Sequence, residues 1–424
     1  MKKRFDNQYG LIDVKECFDA EKGTFCDMSN AETEEFICEI NKPLNEVTDA
    51  EIEALKNGCA AIYPDIYGTK ELKHETARFV KNFLDVDVED DACVPTVGSM
   101  QASFAAFMTI ARLDEKKNKI LFIDPGFPVQ KQQCNILGIE TLHFDVYDYR
   151  GEKLEAKLEE YLATGEVAAM IYSSPNNPAW FSFNEMELQI IAKVANKYDV
   201  IVLEDLAYFG MDFRQDFSKP GVAPYQPTVA KWAKKFVLMI SGSKIFSYAG
   251  QRIAVMVISK DLFDMKTEHM KKYFTQDCFG RAIIFGSLYA LTSGTAFSPQ
   301  YALTAIFKAC NDGTYNFAEP LREYGRKAEQ MKKALVENGF KIVYDKDLDV
   351  EVADGFYFTF SYPGLTGEEL LSELAYYGIS AISLSVCRST RTEGARACVS
   401  LIPNEMIPVF AQRVKKFHED HPIK

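Results

Sequence analysis

The sequence predicts an α/β protein with a mainly parallel (mixed) seven-stranded sheet sandwiched by helices, and a smaller α/β domain built from both chain ends. The first supporting observation is that extended apolar segments alternate with helical segments from about residue 92 to residue 203. This βα repetition is typical of parallel sheets that are covered by helices on both faces. The second is that shorter strands and helices follow a mainly helical region near the C-terminus, which indicates the smaller domain.

The composition agrees with a large globular protein. The chain has 424 residues, of which 47% are hydrophobic and 26% are charged, so it can form a large core and about two domains. Its net charge of −13 argues against nucleic acid or an anionic membrane surface as the main partner. No apolar run approaches the length of a membrane span, and the basic start of the chain does not resemble a signal peptide.

The cysteines indicate a reducing compartment. The ten cysteines are scattered, with no Cys-x-x-Cys pair and no His/Cys cluster at zinc spacing. We therefore expect reduced core cysteines, no metal site and a cytoplasmic location. Cys387 and Cys398 lie near the candidate site, where packing is their expected role.

We expect three regions along the chain. Residues 1–60 contain short helical or loop pieces and form an N-terminal segment that joins the small domain. Residues 61–313 form the large, ligand-binding domain, and residues 314–424 form the C-terminal small domain. A helix over residues 314–338 bridges the two domains.

Apolar periodicity sets the expected elements. Helices are predicted over residues 49–57 and 70–84. The seven expected strands cover residues 92–97, 119–123, 140–144, 167–172, 200–203, 236–240 and 253–258. The helices between them cover residues 98–112, 130–137, 152–162 and 184–198. Helices dominate residues 260–338, and the last part has strands near 340–344, 356–361, 379–383 and 396–401 with helices near 367–377 and 404–419.

One lysine lies in a loop of small residues between the last two strands of the expected sheet. Lys244 follows Ser241-Gly242-Ser243 and precedes Arg252. Partial desolvation lowers the pKa of a lysine and frees its amine to attack a carbonyl carbon. The serines and the arginine are donors for a phosphate. Taken alone, the stretch also fits a surface lysine in a turn.

Three further motifs follow strands, at the edge where ligands gather in parallel sheets. Gly98-Ser99-Met100 opens a helix, whose free N–H groups suit a phosphate. Asn177 lies in the rigid turn of residues 173–178, and Asp205 ends an apolar strand shortly before Tyr208. Each motif alone also fits a plainer role, namely a capped helix, an ordinary turn, or a capping aspartate beside a core tyrosine.

The order Asn177, Asp205, Tyr208, Lys244 and Arg252 joins these motifs into one pattern. With it, the chain resembles the pyridoxal-phosphate enzymes of the aspartate aminotransferase superfamily (fold type I, class I and II aminotransferases), from about residue 63 to residue 396. The resemblance implies pyridoxal 5'-phosphate (PLP) as cofactor, bound in the large domain. It also implies an L-amino acid and a 2-oxo acid as small-molecule partners, without nucleic acid or membrane.

The resemblance implies a role for each of these residues. Lys244 would form the Schiff base with the cofactor aldehyde and then move the substrate proton. Asp205 would pair with the protonated ring nitrogen, so that the ring acts as an electron sink. Asn177 and Tyr208 would hydrogen-bond the phenolic oxygen, and Asn177 would also face the substrate. The residues expected to hold the phosphate are Gly98, Ser99, Met100, Ser241, Ser243 and Arg252.

The resemblance also implies residues that contact the cofactor ring face, the partner subunit and the substrate. Phe127 would stack on the ring, and Tyr63 would reach the phosphate of the partner subunit, which implies a homodimer with shared active sites. Arg396, which opens an apolar strand, would grip the substrate α-carboxylate in a bidentate pair. Arg388 and Arg391 are nearby rivals for that role.

Three segments depart from the family pattern. The stretch Asn177-Pro178-Ala179-Trp180 stands where the family frequently has Asn-Pro-Thr-Gly, and Gln251 stands where a smaller or apolar residue is common. Asn30 belongs to a segment that resembles the one closing over the substrate, but the usual glycine is missing. These departures remove no catalytic group, and they leave the identity of the substrate open.

The expected function is a cytoplasmic, homodimeric PLP-dependent aminotransferase that moves an amino group between an L-amino acid and a 2-oxo acid. Two alternatives stay open. A C–S (β- or γ-) lyase or a decarboxylase would use the same cofactor and lysine but break a different bond. A non-catalytic PLP- or ligand-binding regulator would usually carry a fused DNA-binding domain, and residues 1–60 show none.

Overall fold

The computed structural model of the protein describes residues 16–19, 24–27 and 45–423. In chain order, the strands are β1 (Glu16–Asp19), β2 (Thr24–Asp27), β3 (Cys93–Thr96), β4 (Lys119–Asp124), β5 (Thr141–Asp145), β6 (Val167–Ser173), β7 (Ile201–Asp205), β8 (Phe236–Ser241), β9 (Ala254–Ile258), β10 (Lys341–Ile342), β11 (Lys346–Asp347), β12 (Val350–Glu351), β13 (Tyr357–Ser361), β14 (Ile379–Ser380), β15 (Ile382–Ser383) and β16 (Gly394–Cys398).

The described ranges also contain fifteen α-helices. They are α1 (Asn45–Lys56), α2 (Lys70–Leu84), α3 (Gly98–Ile110), α4 (Pro128–Ile136), α5 (Lys153–Leu162), α6 (Glu185–Lys197), α7 (Gly242–Ile245), α8 (Lys260–Phe263), α9 (Lys271–Phe274), α10 (Phe279–Arg281), α11 (Tyr289–Thr292), α12 (Phe297–Asn311), α13 (Ala318–Glu337), α14 (Gly367–Leu374) and α15 (Ile407–Asp420). A π-helix over Ala282–Leu288 lies between α10 and α11. In the described ranges, no helix combines the length and the apolar character needed to cross a membrane.

Seven strands form the large sheet, in the order β3-β9-β8-β7-β6-β4-β5. Strands β8, β7, β6, β4 and β5 pair in parallel with their neighbours in that series. Strand β9 is antiparallel to both β8 and β3. The predicted mixed, mainly parallel sheet of seven strands is therefore confirmed.

The large sheet is buried on both faces, which explains why its strands could be read from the sequence. Side chains alternate between the faces of a strand, and the adjacent residues Met170 and Ile171 of β6 belong to two separate buried clusters. Every residue of β7 is buried. Such continuous apolar runs are typical of parallel strands covered by helices.

A second, four-stranded antiparallel sheet has the order β10-β13-β16-β15. Helix α13 precedes it and corresponds to the helix predicted over residues 314–338. A ribbon of β11 and β12 was not predicted, because its sequences, Lys-Asp and Val-Glu, contain no apolar run.

The prediction of only helical or loop pieces in residues 1–60 is wrong. Strands β1 and β2 pair antiparallel, and β1 also pairs in parallel with β14 near the C-terminus. Their sequences, Glu-Cys-Phe-Asp and Thr-Phe-Cys-Asp, contain only two consecutive apolar residues each, which is too short an apolar run to be recognised as a strand. The pairing brings the two chain ends together, while the predicted boundaries near residues 60 and 313 stay predictions.

Pairing in the large sheet brings the candidate motifs to one edge. Ser173, the last residue of β6, lies beside Asp205, the last residue of β7. Asp205 in turn lies beside Met239 of β8, two residues before that strand ends. The segment after β8 was predicted to be a loop, but residues 242–245 form a single turn of helix, α7.

Candidate active site

A cavity of about 240 Å³ lies at this edge of the large sheet. Ten residues predicted for the site line it, namely Ser99, Met100, Phe127, Asn177, Asp205, Tyr208, Ser241, Ser243, Lys244 and Arg252. Four further residues line it that the sequence did not single out for the site, namely Ser173, Ala207, Ala249 and Tyr357. Residues from six separate stretches of the chain thus meet around one small space.

Lys244 presents an amine with weakened basicity to this cavity. Burial lowers the pKa of Lys244, and the positive charges of Arg396 and Arg252 lower it further. The Nζ lies 5.1 Å from the centre of the Phe356 ring. Among the described residues, no carboxylate forms a salt bridge with Lys244, and Cys398 opposes the lowering of its pKa only in part. A neutral lysine amine is a nucleophile for carbonyl carbon.

Asp205 holds its carboxylate at the end of β7 through two hydrogen bonds. The backbone N–H of Ala207 donates to Oδ1 at 3.1 Å, and the side-chain amide of Gln130 donates to Oδ2 at 3.0 Å. Burial raises the pKa of Asp205 to about 6, while both hydrogen bonds oppose the rise. The carboxyl is therefore mostly ionised at pH 7, and it is suited to pair with a cationic ring nitrogen.

Gln130 was missed because its only sequence signal is a place on helix α4. It is buried, and it reaches Asp205 across 75 positions of chain. The neighbouring Lys131 forms a buried ion pair with Asp124 at the end of β4. That pair fixes the first turn of α4, from which Gln130 reaches the site.

A hydrogen-bonded row connects the predicted phenol, amide and arginine. Arg396 donates to Asn177 Oδ1 at 2.9 Å, and Asn177 Nδ2 donates to the Tyr208 hydroxyl at 3.2 Å. The Tyr208 hydroxyl donates to that of Tyr357 at 3.0 Å. Burial raises the pKa of Tyr208 well above that of a free phenol, so this side chain stays a neutral hydrogen-bond donor.

The start of α3 and Arg252 form a pocket suited to a phosphate. Gly98 has a φ of +69°, and a Cβ placed there would lie 2.6 Å from Nη2 of Arg252. The buried Oγ of Ser99 has no hydrogen-bond partner among the described residues. A helix N-terminus, an orphaned hydroxyl and a guanidinium together supply the donors that a phosphate monoester needs. These residues fit the phosphate of PLP.

The remaining predicted residues lie apart from the cavity wall. Arg396 is buried and reaches Asn177, whereas its rival Arg391 is paired with Asp145 and Asp148. Tyr63 is 88% exposed and does not line this cavity. Asn30 lies outside the described residues. In the described part of the chain, no group of three or more His, Cys, Asp or Glu side chains could hold a metal ion.

Comparisons with known proteins agree with this geometry. The sequence model for the family "Aminotransferase class I and II" matches residues 38–414. The putative aminotransferase YugH of Bacillus subtilis (strain 168) is 28% identical over 49% of this chain and 51% of its own length. Nicotianamine aminotransferase 1 of Oryza sativa subsp. japonica is 26% identical over 43% of this chain and 35% of its own length. The matches to these curated relatives thus span about half of their length or less.

Solved structures share the fold over almost the whole chain. An alanine aminotransferase from Pyrococcus furiosus superposes with a TM-score of 0.74, at 17% identity, over 99% of both chains. The family model confirms the resemblance drawn from residues 63–396, and this family depends on PLP, which confirms the predicted cofactor. The chain therefore belongs to the class I and II aminotransferase family.

Proposed function

We propose that this protein is a PLP-dependent aminotransferase that moves an amino group between an L-amino acid and a 2-oxo acid. The observation that carries the proposal is Lys244, an amine of lowered pKa that shares one cavity with the Asp205 carboxylate and the phosphate pocket. The relatives support it, since they are named as aminotransferases. The names of these relatives do not support the lyase, the decarboxylase or the non-catalytic regulator.

Different residues of the site would contact different parts of the cofactor. When bound, PLP supplies an aldehyde that takes up amines and a protonated ring that withdraws electrons from the attached amino acid. Gly98, Ser99, Met100, Ser241, Ser243 and Arg252 hold the phosphate. Asp205 would pair with the ring nitrogen, Asn177 and Tyr208 would donate to the phenolic oxygen, and Phe127 would cover one ring face.

Lys244 has two tasks in this proposal. Its Nζ would hold the cofactor at the aldehyde carbon. The same Nζ would also take the proton from the substrate Cα and return it later. Both tasks need an unprotonated amine at neutral pH, which the lowered pKa of Lys244 favours.

Arg396 binds the substrate α-carboxylate. Its guanidinium lies 4.3 Å from the centre of the Tyr357 ring and donates to Asn177. A guanidinium held by an aromatic face and an amide keeps a fixed direction, which a bidentate carboxylate pair requires. Asn177 thereby contacts the cofactor side and the substrate side together. Asn30, which lies outside the described residues, would belong to the segment that closes over the bound substrate.

The protein is a homodimer with shared active sites in this proposal. Ile62 and Tyr63 are 66% and 88% exposed, and they line an apolar groove with Leu55 and Phe297. Exposed apolar side chains of this kind mark protein interfaces. Tyr63 would thus reach the partner subunit's phosphate pocket.

The domain division and the cellular location also belong to the proposal. Residues 1–60 join the small domain of residues 314–424, which the pairing of β1 with β14 supports, and residues 61–313 form the PLP-binding domain. A cytoplasmic location is supported by seven cysteines that are free thiols in the structure, namely Cys59, Cys93, Cys134, Cys278, Cys310, Cys387 and Cys398.

The test is a visible absorption spectrum of the PLP-loaded protein before and after each member of a panel of amino acids. We expect the band of the lysine-bound cofactor to convert to that of the amine form and to return when a 2-oxo acid is added. Release of ammonia or carbon dioxide with an unchanged band would favour the lyase or the decarboxylase. A protein that takes up no PLP would contradict the proposal.

A further inference from the structure

Trp180 adopts a backbone conformation that is rare for a large side chain. Its φ is +67°, in the left-handed region where L-residues other than glycine are strained. The family frequently has glycine at this place in the motif, and glycine adopts such a φ without strain. A tryptophan at this position is therefore unfavourable for the local backbone.

The indole is also unfavourably placed for hydrogen bonding. Trp180 is 1% exposed, and no acceptor among the described residues takes up its Nε1–H. A buried donor without a partner destabilises the folded state. Strained backbone conformations are found mostly at functional sites, where the surrounding structure holds them in place. The strained backbone and the unsatisfied donor of Trp180 therefore point to a role in the site.

Gly355 leaves the space that the indole of Trp180 occupies. A Cβ placed on Gly355 would lie 2.2 Å from Cε2 and Nε1 of Trp180, so only glycine at residue 355 admits the tryptophan. Gly355 immediately precedes Phe356, which faces Lys244, and Tyr357, which carries Arg396 on its ring. The contact between residues 180 and 355 therefore sets how closely this segment approaches the large sheet.

The indole touches both phenols of the hydrogen-bonded row. Its ring centroid lies 5.4 Å from that of Tyr208 and 5.9 Å from that of Tyr357, in edge-to-face geometry. The hydroxyls of these tyrosines lie 3.0 Å apart. Movement of the indole would thus displace Tyr357, and with it the guanidinium of Arg396 that rests on the Tyr357 ring.

We infer that Trp180 and Gly355 form a matched pair that positions Tyr357, and through it Arg396, for the substrate carboxylate. Trp180 is a positioning residue, because it acts on Arg396 through Tyr357. The inference rests on the proposed function and concerns the substrate end of the same site. It assigns a role to the departure from the family motif at residue 180.

The test combines Trp180→Phe, Gly355→Ala and the double variant, with Trp232→Phe as the matched control at the other tryptophan of the chain. Gly355→Ala places a methyl group against the indole, and we expect the KM for the amino acid to rise about tenfold with kcat nearly unchanged. The phenyl ring lacks the indole atoms that this methyl group meets, so the double variant is expected to recover most of the affinity. Trp232→Phe leaves both parameters unchanged.

A readout independent of turnover uses the fluorescence of Trp180 in the Trp232→Phe protein, where it is the sole tryptophan. Titration of the cofactor-free protein with PLP is expected to change this emission saturably, because the indole contacts Tyr208. An unchanged emission would overturn the inference. So would a Gly355→Ala protein with the KM of the parent, or a double variant without recovery. A parent protein that transfers no amino group would instead contradict the proposed function, and the PLP titration would still test Trp180.

Discussion

Asp205 is ionised in the site because two donors offset its burial. Loss of hydration disfavours the charged carboxylate and raises the pKa of Asp205 to about 6. The hydrogen bonds from Ala207 and Gln130 favour the charged form and hold the pKa below neutrality. Gln130 is neutral, so it stabilises the carboxylate without adding a positive charge that would compete with the cofactor ring.

Replacement of Gln130 by leucine tests this balance. Gln130→Leu removes a hydrogen bond to the ionised form, so we expect the pKa of Asp205 to rise by about one unit. The ionised fraction at pH 7 falls accordingly, and PLP binds more weakly. Carbon-13 NMR titration of the aspartate carboxyls in the cofactor-free protein measures the shift. Gln132→Leu, at an exposed position of the same helix, is the control; equal pKa values in both variants would contradict the role of Gln130.

Individual site residues could be predicted where a charged or reactive side chain lies at or just after the end of an apolar strand. Asp205 interrupts an apolar run, and Lys244 lies among small residues, so both stand out in the sequence. Gln130 and Tyr357 do not, because a glutamine on a helix and a tyrosine in an apolar strand are ordinary. Their roles arise from contacts across 75 and 149 positions of chain, which no local pattern records.

Among the elements, helix α3 depends on the glycine at its first position. Gly98 turns the chain from β3 into the helix with a positive φ and leaves space for the Arg252 guanidinium. The N–H groups of the first helical turn then face the phosphate pocket without side-chain caps. The element thus offers its unpaired donors to a ligand.

Gly98 adopts a positive φ and also leaves space for Arg252. A comparison of Gly98→Ala with Gly165→Ala separates these two effects. Both positions have φ near +70°, but a Cβ on Gly165 meets no atom within 4 Å. We expect both variants to lose about 1 kcal/mol of folding stability from backbone strain. Only Gly98→Ala is expected to weaken PLP binding, about tenfold, because its methyl group displaces Arg252. Thermal melting and a PLP titration measure the two effects; an equal loss of PLP affinity in both would contradict the account.

Elements were predictable in proportion to their length and burial. Helix α2 was predicted with the bounds that it has, since its apolar stripe runs over four turns and Thr69 caps it. The strands of the large sheet were found within one or two residues. Strands β1, β2, β11 and β12 were missed because each is short and contains polar residues at one or both ends, so none forms an apolar run.

For the whole molecule, the proposed dimer depends on the face that carries Tyr63. The groove beside it is lined by apolar side chains of α1, the 59–64 segment and α12. The molecule has a net charge of −13, so two copies repel one another at long range. Apolar burial at this groove would have to overcome that repulsion.

Ile62→Asp tests the dimer. A carboxylate in a buried interface is strongly unfavourable, so we expect the parent protein to sediment as a dimer and this variant as a monomer with little transaminase activity. Val336→Asp changes an exposed valine of α13 that does not line the groove, and it is expected to remain dimeric. A monomeric parent protein, or a dimeric and active Ile62→Asp variant, would contradict the shared sites.

The most direct test of the central claim identifies the amine that retains the cofactor. The PLP-loaded protein is reduced with borohydride, which makes the bond between lysine and cofactor permanent, and the digested peptides are mapped by mass spectrometry. We expect the added cofactor mass on Lys244 of the parent protein, and no added mass on the Lys244→Ala protein. Modification of another lysine at equal yield, or a Lys244→Ala protein that keeps full transaminase turnover, would contradict it.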